Sequence, residues 1–159
     1  MRLLAVACLV LAAAACSDSP ATEEGPALEP APAPRLGGVD LGRPVRLLGT
    51  EPFWSLDLTG SEIVYAGVDR PEQRGPQPKP VIQGTVATLE TTTASGTPIA
   101  ITLTETECSD GMSDRTYPLT ALVEVGGETL MGCGAATAAL ASAGESGPVT
   151  ERPAPQPAG

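Results

Sequence analysis

Histidine is absent from this 159-residue chain, and lysine occurs once, at Lys79 among prolines. The commonest acid–base group is therefore missing, and a serine or cysteine nucleophile has only carboxylates or a distant Lys79 to activate it. The chain reads as non-enzymatic, with no cofactor and no assigned metal site. Aromatic residues are almost as scarce, with one Phe, one Trp and two Tyr, so any core is aliphatic and thin. Basic residues are outnumbered, nine Lys and Arg against nineteen Asp and Glu, for a net charge of −10. That balance excludes nucleic acid as a partner. It favours a cationic one, a basic secreted or envelope protein or a metal ion, and it equally serves plain solubility. No apolar run spans a bilayer, since the longest, Leu3 to Ala15, falls about a third short of the ~20 residues needed.

What the chain has in abundance is proline, seventeen, and glycine, eighteen, too many for one packed unit. They gather at the ends. Residues 1–15, with Arg2 ahead of the apolar run, read as a secretion signal. Ala13, Ala14 and Ala15 before Cys16 resemble the lipobox of bacterial lipoproteins, which implies that Cys16 is acylated and becomes the new N-terminus. The acyl chains alone would then hold the protein on a membrane, at about 0.8 kcal/mol per buried methylene. Ser17 after the cysteine, by resemblance to enteric lipoproteins, implies passage to the outer membrane, facing the periplasm. Residues 16–38 form a Pro-rich tether of extended chain, long enough to hold a domain roughly 60 Å off the surface. Residues 136–159 hold an Ala-rich segment, with little but Leu140 to bury, and a tail that reads as disordered from Gly144 onward.

Between these flanks, residues 39–135 alternate short apolar and β-branched runs with turn residues. About seven strands are predicted, starting near Val45, Phe53, Glu62, Val81, Pro98, Tyr117 and Thr129. In Phe53–Leu58, Trp54, Leu56 and Leu58 share one face while Ser55 and Asp57 share the other. In Pro98–Thr104, Ile99, Ile101 and Leu103 do the same. Asp69–Pro80, with four prolines, reads as a long surface loop. The expected fold is an all-β antiparallel barrel or compact sandwich.

Two cysteines, Cys108 and Cys133, remain once the signal and the lipidation site are set aside. In an oxidising compartment they are expected to pair. Closing that loop would contribute about 3–4 kcal/mol, a large share of the stability of a small domain. The alternative is a soft copper site made by free thiols with Met112 and Met131, although packing in an apolar strand would explain Met131. Asp110 and Asp114 flank Gly111-Met112-Ser113, where they would accept backbone N–H bonds or, less aptly, bind Ca²⁺. Arg115 has either carboxylate within sequence reach. Phe53 and Trp54 send large rings to opposite sides of a strand, one into the core and the other beneath the Cys108 loop or into a ligand groove.

The strings Gly-Thr-Glu-Pro-Phe-Trp at 49–54, Cys-Ser-Asp-Gly-Met-Ser-Asp-Arg-Thr-Tyr-Pro at 108–118 and Gly132-Cys133 resemble a widespread family of small bacterial envelope proteins, often lipoproteins, of unassigned activity. The resemblance implies an exported all-β domain in which these segments form one surface. The candidate recognition residues are Glu51, Trp54, Asp110, Met112, Asp114, Arg115 and Tyr117. The expected function is a membrane-anchored, non-catalytic binding or envelope-maintenance module, one version being an inhibitor of a basic cell-wall hydrolase. A copper-binding periplasmic protein and a purely structural envelope protein are the alternatives.

Overall fold

The computed structural model of the chain describes residues 32–68 and 70–151. The signal sequence, Cys16, most of the tether and the end of the tail lie outside the described residues. The protein is all-β and antiparallel in its main sheet, which has nine strands: β3 (Val45–Thr50), β4 (Phe53–Leu58), β5 (Glu62–Gly67), β6 (Gln73–Pro76), β7 (Val81–Gln83), β8 (Val86–Thr92), β9 (Pro98–Thr104), β12 (Leu119–Val125) and β13 (Glu128–Ala136). Their spatial order is β6-β5-β4-β3-β13-β12-β9-β8-β7. Two local meanders are thus joined through the β12–β13 hairpin, β9 pairing with β12 and β13 with β3. The sheet curls into a half-barrel until its β6 margin meets β8. There Ala94 N donates to Arg74 O at 2.9 Å, and Thr91 Oγ1 donates to Pro76 O at 2.8 Å.

Period-two alternation explains which face turns inward. Trp54, Leu56 and Leu58 on β4, Ile99, Ile101 and Leu103 on β9, and Leu119, Ala121 and Val123 on β12 are buried, while their neighbours reach solvent. Burying this aliphatic set drives the curl, at about 25 cal/mol per Å² of apolar surface. Tyr65 is the largest fully buried side chain. Burial pushes its phenol above the ordinary value, opposed by the charge of Arg70.

The structure differs from the sequence reading at four places. Val81–Thr92 is a hairpin rather than one strand, because Gly84 takes φ 59° and reverses the chain. Gln73–Pro76, expected in a loop, is an edge strand, where a proline is tolerated. Gly75 fits there because a Cβ would sit 3.1 Å from Thr92 O. The fold begins before residue 39, with β1 (Arg35–Leu36), which pairs with β2 (Val39–Asp40) in a ribbon that buries Leu36 and Val39, with Leu41 following. Beyond residue 135, α1 (Thr137–Ser142) buries Ala139, while Leu140 packs against the core partly buried. After it, β14 (Ser146–Pro148) runs parallel to β11 (Asp114–Tyr117), and Val149 is fully buried. The segment expected to be disordered from Gly144 is therefore part of the fold as far as Val149. None of the described helices is long and apolar enough to cross a membrane.

Candidate functional site: the groove over the disulfide

A second, three-stranded sheet of β10 (Cys108–Ser109), β11 and β14 carries the Cys-rich loop. Cys108 lies opposite Tyr117 and Ser109 opposite Thr116, so the loop is the tip of a hairpin. Asp110 sets its shape. Its Oδ1 accepts Met112 N at 3.0 Å and Ser113 N at 2.8 Å, and its Oδ2 accepts Ser113 Oγ at 2.7 Å and Tyr117 OH at 2.9 Å. Gly111 provides the required positive φ of 71°. An ionised carboxylate has about four acceptor positions, and all four are engaged here. Burial pushes the Asp110 carboxyl upward, but the four hydrogen bonds outweigh it and hold the pKa at about 2. Tyr117 shifts up, through burial first and then through the proton it donates to the Asp110 carboxylate.

Cys108 and Cys133 form a disulfide, with their Cα atoms 5.5 Å apart. On β13, Leu130 faces the core, so Met131 and Cys133 face outward, and Cys133 is buried because β10 lies over it. The bridge thus fastens the hairpin to the outside of the barrel. Thr50 Oγ1 adds a bond to Asp110 O at 3.0 Å, tying the end of β3 to the same loop. Between these elements lies a groove of about 420 Å³, lined by Leu48, Thr50, Glu51, Met112 and Met131 with both cysteines.

Trp54 belongs to the other side of the floor. It is 4% exposed, with its indole against two glycines. A Cβ on Gly49 would fall 2.2 Å from Trp54 Nε1, and one on Gly132 would fall 2.1 Å from Leu48 O and 2.8 Å from Trp54 Cζ2. Trp54 Nε1 is also the one buried side-chain nitrogen or oxygen without a partner among the described residues. Its burial is driven by ring area and not by its polar atom.

The structure therefore divides the candidate residues. Glu51, Asp110 and Met112 meet at the groove, while Trp54 supports it from the core and Tyr117 stands behind Asp110. Asp114 and Arg115, on β11, do not line it. Arg115 Nε donates to Gly144 O at 2.8 Å, tying the hairpin to the C-terminal segment instead of pairing with Asp110 or Asp114. Phe53 does not pack beneath the loop but stands 53% exposed, hydrogen-bonded through its carbonyl to Val68 N. Met131 was expected to be explained by packing, yet it is 69% exposed, and Met112 is 70% exposed. Sequence reasoning set Met131 beside Met112 and the cysteines only in the copper alternative and left it out of the recognition set, although strict alternation from Leu130 turns it outward. Among the described residues no group of three or more His, Cys, Asp or Glu side chains is placed to hold a metal.

A larger cleft of about 540 Å³, lined in part by Arg35, Arg43 and Ser142, contains none of the candidate residues. The chain matches no family model, and no curated protein or solved structure matches it.

Proposed function

We propose that this chain is a non-catalytic binding module of the bacterial cell envelope, held on the outer membrane by acylated Cys16, and that it recognises its partner at the groove over the disulfide. The observation that carries this reading is the contrast in how side chains are used there. Asp110 and the disulfide fix the walls, while Met112 and Met131 offer apolar surface to solvent at considerable cost in hydration. Glu51 adds a negative charge at the rim of an already acidic protein. A basic envelope or secreted protein fits that combination, a cell-wall hydrolase being one such partner, with charge steering encounter and the methionines adapting to its surface.

Asp110, Trp54 and Tyr117 act as architecture in this reading, which narrows the recognition set to Glu51, Met112 and Met131. The test is capture from envelope extract at low salt by the full chain and by a Glu51→Lys/Met112→Ser variant of unchanged melting temperature. Retention of a basic protein by the first and not by the second is expected. Equal retention, or none by either, removes the groove as a recognition site. A purified lysozyme-type enzyme neither bound nor slowed removes the hydrolase version alone.

A further inference from the structure

Sulfur is distributed in an uneven way that recognition of a basic protein does not require. The chain has four cysteines and three methionines, and the four of these that fall among the described residues, Cys108, Met112, Met131 and Cys133, all line the same groove. Structural pairing accounts for the cysteines. Packing does not account for methionines that are 70% and 69% exposed, and a leucine or a polar residue would serve a solvent-facing position as well. The competing hard donors are weak or already committed: Asp110 has its acceptor positions filled, histidine is absent from the chain, and Glu51 is the other carboxylate on the lining.

We propose that this groove is a redox-gated Cu(I) site. In the disulfide form its only soft donors are two neutral thioethers. When an external dithiol donates two electrons and two protons, the S–S bond breaks, the dithiol becomes a disulfide, and Cys108 and Cys133 become thiols. Binding one Cu⁺ then releases the two thiol protons and leaves two thiolates and the thioethers of Met112 and Met131 around the ion. Cα atoms 5.5 Å apart already keep the two sulfurs next to each other at the groove lining. Thiolate with thioether selects Cu(I) over hard cations, which want oxygen, and the thioethers add nothing for Zn²⁺, which wants thiolate, imidazole or carboxylate. The site does not depend on the recognition reading, because copper needs no protein partner.

The test is an anaerobic competition between the full chain and bicinchoninate for Cu(I), performed on the disulfide form and after phosphine reduction, with Met112→Leu/Met131→Leu alongside. The reduced chain is expected to withdraw one Cu(I) per molecule and the disulfide form far less. The double leucine variant, reduced, should bind about tenfold or more weakly, as loss of supporting ligands does at metal sites. Equal withdrawal by both redox forms, or a reduced leucine variant that binds as wild type does, overturns the proposal. A thermal transition lost on reduction and regained with one equivalent of Cu(I) supports it. A reduced chain that stays unfolded with Cu(I) present overturns it.

Discussion

The inside of the half-barrel and the hairpin fastened to its outside reach rigidity by opposite means. Inside, Leu56, Ile101 and Val123 are held by area and shape, and Trp54 Nε1, the one buried side-chain polar atom without a partner among the described residues, is tolerated because the ring around it is so large. Outside, the loop at Cys108–Tyr117 has little apolar cover and is fixed by a covalent bridge, a carboxylate with four hydrogen bonds and a threonine tie. A chain with few aromatic residues can fill a small interior with aliphatics, but it spares only Tyr117 for the external hairpin. Polar and covalent fastening takes over there.

That division is open to direct attack. Replacing both Cys108 and Cys133 by Ser should lower the unfolding free energy by about 3–4 kcal/mol in chemical denaturation, because the unfolded chain regains the entropy of a long loop. A loss under 1 kcal/mol would mean that the hairpin is held without the bridge. Next in size is Gly132→Ala, whose methyl would press on Leu48 O and Trp54 from the floor of the groove, at a cost of about 2–3 kcal/mol. Near-UV circular dichroism of the single Trp would report the displacement, and an unchanged spectrum would break the link between groove floor and core.

Asp110 comes third and is read by pH. Its carboxyl falls from 3.8 in a free chain to about 2 in the fold, so its contribution is complete above pH 4 and disappears as pH drops through 2. After allowance for solvent screening this is on the order of 1–2 kcal/mol. Wild type should therefore lose stability between pH 4 and 2 faster than Asp110→Asn, and parallel curves would contradict the hydrogen-bond arrangement. The smallest effect is expected from Met131→Ser. It should leave the melting temperature within the scatter of ordinary surface changes, about 0.5 kcal/mol, and a larger fall would place Met131 with the packed residues after all.

Strand alternation made β4, β9 and β12 legible from the residues alone, because an apolar face repeats every second position over six or seven residues. The same rule separates Trp54 from Phe53 and Leu130 from Met131. Elements created by contact with distant chain were not legible. Gln73–Pro76 becomes a strand by pairing with β5 despite the prolines around it, and the burial of Ala139 depends on the elements it meets. At the site, the loop role of Asp110 was among the alternatives that residue types suggested. The meeting of Glu51, Met112 and Met131 needed the hairpin to be folded back onto β13, which no local pattern specifies.

A curled open sheet has two margins, and each is a template onto which a neighbouring molecule can add backbone. Here β6 is turned back against β8, and β7 is three residues long and preceded by Pro78, Lys79 and Pro80, which offer a pairing strand two missing N–H groups and a charge. Copies crowded side by side would therefore find little exposed main chain to zip together, and fibre growth from the native molecule is blocked at both borders.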